Sequence, residues 1–193
     1  MVGAVKDDHA MLGHYDTKYA PDRAAAGSGL GRDFVTRIGF QMLVVYRVMR
    51  FCVDAGIPVA PQVLSRTIRH LYGSDIHWEA RFDAGVVLVH GMGLAVSRAA
   101  HVERGAILFH NVTLGMSFDS ATRRSGAPTV GADVHVGAGE IIVGPVTVGA
   151  RSKVTANCFV RTSVPPGSIV EAPAPSVSAR PAHRDRIPTK ANA

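Results

Sequence analysis

The chain has 193 residues, 47% of them hydrophobic, and a formal net charge of +6. That length holds one domain with a substantial core, or one domain and an appendage. Arginines interrupt even the densest apolar stretch, 38–53, which excludes a membrane span there, and eight basic against seven acidic residues between positions 75 and 170 leave no concentrated basic face for nucleic acid.

At the N-terminus no basic segment precedes a long apolar core, so no secretory signal is expected and a cytoplasmic location is. Residues 1–32 are rich in Gly, Ala and Asp, show no period and read as a flexible segment. Residues 33–74 read as a helical region. Phe34, Ile38, Leu43, Tyr46 and Val53 recur near helical spacing, and Pro58 and Pro61 break the run. A second helix is expected over 62–71, with Gly73 as its stop signal.

From Asp75 the period changes. Val130, Val136, Ile142, Val148, Val154 and Val160 follow one another at intervals of six. Upstream, Ile76, Phe82 and Leu88 form one register of six, and Val96, Val102, Leu108 and Leu114 another. This interval fits neither a 3.6-residue helix nor an ordinary hairpin sheet. It fits a solenoid in which three short strands make one triangular coil and every sixth side chain points into a shared core. The expected fold is therefore mainly β, a parallel β-helix of hexapeptide repeats over 75–170. Small residues after core positions, such as Gly131, Gly137 and Gly149, suit tight corners. The step from Leu88 to Val96 is eight, so two residues are inserted around His90. Residues 116–129 break the pattern and read as a protruding loop, a common carrier of function. Residues 171–193 hold many Pro, Ala, Ser and Arg residues and read as an exposed tail. Cys158 falls among the repeats, as a small packed hydrophobe rather than half of a bridge with Cys52.

An ordered series of motifs runs through this solenoid: Tyr72-Gly-Ser-Asp-Ile-His77, Leu88-Val-His90, Val112-Thr-Leu-Gly115, Val136-Gly-Ala-Gly139 and Val164-Pro-Pro166. With Val44-Val-Tyr-Arg47 and Gly56-Ile-Pro58 before them, they resemble the serine O-acetyltransferases among the hexapeptide-repeat acyltransferases. The resemblance implies a left-handed coil and transfer of an acyl group, expected to be acetyl, from acetyl-CoA to the hydroxyl of a small polar acceptor such as an amino acid. It implies His90 as general base and Asp75 as the carboxylate that orients it. A hydroxyl attacking a thioester must shed its proton, and a neutral imidazole accepts it at neutral pH. The resemblance also assigns Gly115, Ala138, Lys153 and Ala156 to a coenzyme A slot between neighbouring solenoids.

Departures from the family concern the acceptor. Val89 stands where the family carries an acidic residue that meets the amino group of serine. Gly126-Ala-Pro-Thr129 replaces the Arg-His-Pro-Lys that grips its carboxylate. Arg123 and Arg124, just upstream, offer a displaced clamp. His110 lies two residues past core Leu108 and is expected to face the same cleft as His90. A metal is not expected. The zinc-binding γ-class carbonic anhydrase solenoids use a close histidine pair, whereas His101 and His110 are nine residues apart. A flat-faced solenoid packs readily about a threefold axis, so a homotrimer is expected, in preference to a hexamer because only about 74 residues precede the repeats. N-acyl transfer to a small amine and a non-catalytic assembly role remain the alternatives.

Overall fold

In the computed structural model, residues 1–119 and 123–178 are described. Very short strands stack into three parallel sheets, the faces of a triangular prism. The first face is built from Asp75–Ile76, Ala95–Val96, Thr113–Gly115, Ile141–Val143 and Phe159–Val160. Arg81–Phe82, His101–Val102, Thr129–Val130 and Thr147–Val148 make the second. Val87–Leu88, Ile107–Leu108, His135–Val136, Lys153–Val154 and Ile169–Val170 make the third. Every hexad residue named above is buried and stacks on its own kind, as in Ile76–Val96–Leu114–Ile142–Val160. Each such side chain contributes roughly 1.5–3 kcal/mol by leaving water.

A second inward row lies two residues before each hexad position. It includes Ser74, Ala80, Val86, Leu94, Ala100, Ala106, Val112, Val134, Glu140, Ser152 and Cys158, all buried. Small side chains fill the narrow prism corners there. Ser74 and Ser152 satisfy their hydroxyls on backbone groups of neighbouring coils, at Gly91 O and Pro165 O. Glu140 is the exception. Its side chain is fully buried, one oxygen accepts from the Cys158 N–H at 3.1 Å, and the other oxygen has no partner among the described residues.

The helices are α1 (Val2–Tyr19), α2 (Pro21–Ala25), α3 (Leu30–Thr36), α4 (Ile38–Asp54) and α5 (Ala60–Tyr72). Gly73 ends α5 in the left-handed conformation, φ 60°. Residues 1–32, expected to be flexible, instead hold α1, which lies on the third face. Its apolar signal is weak because polar anchors fix it. Asp8 is buried, forks onto Arg47 at 2.9 and 2.9 Å, and accepts from the Gly85 and Val86 N–H groups. Leu12 adds an apolar contact with Phe40, Val87 and Ile107. Helix α4 lies so close to the third face that a Cβ on Gly39 would stand 1.9 Å from Leu88 O. The loop expected at 116–129 leaves the coil as an antiparallel hairpin, Ser117–Asp119 against Arg124–Gly126. Residues 171–178 form neither helix nor strand, and the remainder of the expected tail lies outside the described residues. Both cysteines are buried and free. No helix among the described residues is long and apolar enough to cross a membrane.

Candidate active site

The decisive local event occurs at the corner between the third and first faces. In later coils this corner turns on one left-handed residue: Asn111, Gly139 or Asn157, at φ 57°, 75° and 62°. Lateral backbone bonds fix the alignment. Asn111 N–H donates to Met92 O, Gly139 N–H to His110 O and Asn157 N–H to Ala138 O. Met92, His110, Ala138 and, one coil further, Ala156 therefore occupy one corner column. The two inserted residues of the first coil are His90 and Gly91, both left-handed at φ 66° and 67°. For a residue other than Gly, Asn or Asp this backbone costs roughly 1–2 kcal/mol, and such outliers persist where the surroundings hold them. Gly91 is buried against Met42 and Gly39 at the start of α4. The effect is to hold the neighbouring His90 side chain outside the prism, exposed.

His110 stands on the next coil. Its ring centroid lies 5.8 Å from that of His90, edge to face, and its Nδ1 is buried without a hydrogen-bond partner among the described residues. The two rings are thus neighbours across adjoining coils, and His110 is not among the residues that line the cavity beside His90. Asp75 does not join them within one chain. Register pairs Asp75 with Ala95, twenty residues on, so the inserted corner separates it from His90. Its carboxylate bonds Arg69 at 2.6 Å instead, on the protein surface.

A cavity of about 450 Å³ opens beside His90. Val89, His90 and Met92 line it together with Arg23, Arg32 and Arg37, which come from α2, α3 and the residue between α3 and α4. Arg37 is neutralised there by Asp16 and Asp33, both buried, and Asp33 also binds His9 at 2.8 Å. Tyr15 lines the cavity as well. Burial first, and the Asp16 carboxylate second, push its phenol above the ordinary value of 10.0, so it stays a neutral donor. Val89 is half-buried and has no charge to offer an ammonium group. The arginines of α2 and α3 escape sequence reasoning because they lie in the segment with no period.

The remaining expected positions scatter. Ala138 and Ala156 share the corner column with His110. Gly115 lies at the opposite edge of the first face, so close to the next coil that a Cβ there would stand 2.8 Å from Val143 Cγ1. Lys153 is exposed on the third face, stacked beside His135. Burial, then the Lys153 and Lys18 charges, lower His135 below its usual 6.5, and its ring stacks on Phe109 at 5.1 Å. Arg123 is exposed in the hairpin turn and is not part of the cavity lining. The Arg124 side chain lies outside the described residues. Among the described residues no three His, Cys, Asp or Glu side chains converge as a metal site.

No protein-family model matches the chain. Curated relatives do. Serine acetyltransferase of Synechococcus elongatus is 35% identical over 127 residues, 66% of this chain and 51% of that protein. Serine acetyltransferase of Helicobacter pylori is 31% identical over 130 residues, 67% of this chain and 75% of that protein. The chain belongs to the serine acetyltransferase family. The solved serine acetyltransferase of Brucella abortus superposes with a TM-score of 0.74 at 28% identity, covering 89% of this chain and 65% of that one. The three-faced coil is thus the left-handed parallel β-helix of this family. The chain spans about half the length of the Synechococcus relative it matches.

Proposed function

We propose that the chain is a CoA-dependent O-acyltransferase that moves an acetyl group from acetyl-CoA to the hydroxyl of a small polar acceptor such as an amino acid. One observation carries this reading: a two-residue insertion holds the His90 imidazole outside the coil, in a strained backbone, at the mouth of a cavity large enough for a small acceptor. His90 takes the proton of the acceptor hydroxyl as its oxygen attacks the thioester carbonyl. The tetrahedral intermediate then expels the CoA sulfur, which recovers that proton from His90. Backbone N–H groups near the corner and the hairpin stabilise the oxyanion. His110, whose ring neighbours that of His90 and whose buried Nδ1 has no partner among the described residues, orients the reacting carbonyl or hydroxyl. Asp75, set apart from His90 by the inserted corner of its own chain, serves as the orienting carboxylate only across an interface between two chains and once Arg69 has released it.

The coenzyme A slot follows the corner column through Ala138 and Ala156, where side chains are small enough for a pantetheine arm, with Gly115 and Lys153 as its further contacts. Ile141 and Phe159 stand exposed on the first face and suit burial against a neighbouring solenoid, which supports a homotrimer.

The test is release of CoA from acetyl-CoA, read with a thiol reagent, using the full chain and a panel of hydroxylated amino acids. Turnover lost in His90→Asn supports the reading. Absence of both CoA binding and turnover in the unaltered protein overturns it in favour of an assembly role.

A further inference from the structure

Glu140 is sealed inside the coil directly behind the corner that carries Ala138. Register sets it between Val112 on the preceding coil and Cys158 on the following one. One carboxyl oxygen accepts from the Cys158 N–H, which ties the Ala138 corner to the next corner, at Ala156. The other oxygen has no partner among the described residues. No counter-ion faces this carboxyl. The Cys158 thiol is turned to Thr155 Oγ1 and Val170 O. His110 meets the corner through its backbone carbonyl, which accepts from the Gly139 N–H. His135 and Lys153 stand on the outer side of the third face. Burial penalises the charged form, so a carboxyl with one N–H donor and no cation stays protonated in such a place. The corners around it have no slack. A Cβ on Gly137 would stand 2.8 Å from Ala156 N, and one on Gly139 would stand 2.3 Å from Asn157 Oδ1. An ionised Glu140 therefore reaches water only when the two corners part.

We propose that Glu140 is a proton-operated control of the coenzyme A slot: protonated, it braces the Ala138 and Ala156 corners in the shape that accepts the pantetheine arm, and ionised, it parts them and weakens acyl-CoA binding. This names a regulation of the acyltransferase site and rests on that reading for the slot. The carboxyl gives its proton to solvent, and the carboxylate then loses its place in the apolar interior. Such coupling is reciprocal. A ligand seated on closed corners favours the protonated form, so coenzyme A binding takes up protons where Glu140 titrates. Burial raises that carboxyl from 4.5 to about 7, which puts the transition at neutral pH. The slot binds more tightly on the acid side.

The switch is tested on the full chain at about pH 6 and about pH 8.5, on either side of that transition. Coenzyme A affinity is measured by calorimetry. Alkylation of the Cys158 thiol by iodoacetamide, without ligand, is followed by mass spectrometry, which separates it from Cys52. Glu140→Gln keeps an acceptor for the Cys158 N–H and cannot ionise. Should it not fold, Glu140→Ala repeats the affinity comparison with the small side chain that Ala100 and Ala106 place in the same row. On the acid side the unaltered chain should bind coenzyme A as tightly as the variant. On the alkaline side it should bind at least about fivefold more weakly, and its Cys158 should be alkylated at least about fivefold faster. Comparing the proteins at one pH cancels the titration of the coenzyme A phosphate and of the thiol. Affinities that run parallel in the unaltered chain and the variant overturn the switch and leave the acyltransferase reading standing. A difference in affinity without one in alkylation overturns the parting of the corners as its cause. Alkylation governed by Glu140 in a chain that binds no coenzyme A at either pH refutes the acyltransferase reading, and with it control of the slot, while the corner's response to the proton stands.

Discussion

The rings of His90 and His110 meet edge to face with centroids 5.8 Å apart, although twenty residues separate them. That spacing equals one coil of eighteen plus the two inserted residues. The insertion therefore sets the pair, and it also leaves His90 in a left-handed backbone. His90→Asn should keep the fold, because Asn tolerates that backbone, and should lower kcat by roughly 10²–10⁴ as expected for loss of a general base. His110→Gln, which keeps a donor and an acceptor, should retain more activity than His110→Ala. Steady-state CoA release measures all three, and full activity in His90→Asn removes the base assignment.

Asp75 gives a separate prediction. Its partner Arg69 and Asp75 itself are both more than half exposed or close to it, at 58% and 50%. Exposed pairs add little to stability, so Asp75→Asn should leave the thermal midpoint nearly unchanged. If the carboxylate orients His90 during turnover, Asp75→Asn lowers kcat without raising the acceptor KM, and Arg69→Ala does not. An unchanged kcat in Asp75→Asn shows that His90 works without it.

The solenoid was legible because its core obeys one interval, and every hexad position is buried. The second inward row was not, since Ala, Ser and Glu at Ala100, Ser152 and Glu140 carry no apolar signal. His90 and His110 could be matched by counting from Leu88 and Leu108, whereas Asp75 could not be placed by counting alone. An interval of fifteen looks close to one coil, but the inserted corner moves the register partner to Ala95. Helix α1 was hidden for a different reason. It is held by Asp8 on Arg47 and by Asp16 on Arg37, contacts that depend on tertiary geometry and leave no periodicity.

That dependence makes Asp8 a sensitive position. Asp8→Ala leaves the buried Arg47 guanidinium uncompensated and frees the Gly85 and Val86 N–H groups. Removing one partner of a buried pair costs about 3–5 kcal/mol. Urea unfolding should show that loss, with α1 exchanging its amide hydrogens well before the solenoid does. Loss of the α1 dock should also open the cavity, so the acceptor KM should rise even at temperatures where the coil remains folded. A loss under about 1 kcal/mol would mean that α1 is not anchored through this pair.

Glu140 sets a pH dependence of opposite sign to that of most carboxylates. Burial pushes its carboxyl up from 4.5 to about 7, and the single hydrogen bond from the Cys158 N–H offsets this only in part. As pH climbs past 4.5 the unfolded chain releases this proton first, so the folded state binds more protons than the unfolded one across that window. Stability from this group therefore falls between about pH 4.5 and pH 7 and levels off above, by about 3 kcal/mol at 1.36 kcal/mol per pKa unit. Glu140→Gln keeps an acceptor for Cys158 and cannot ionise. Its stability relative to the unaltered chain should be greatest at pH 8 and should shrink toward pH 4.5, as read from urea midpoints across that range. Parallel curves for the two proteins would show that Glu140 does not carry the buried proton.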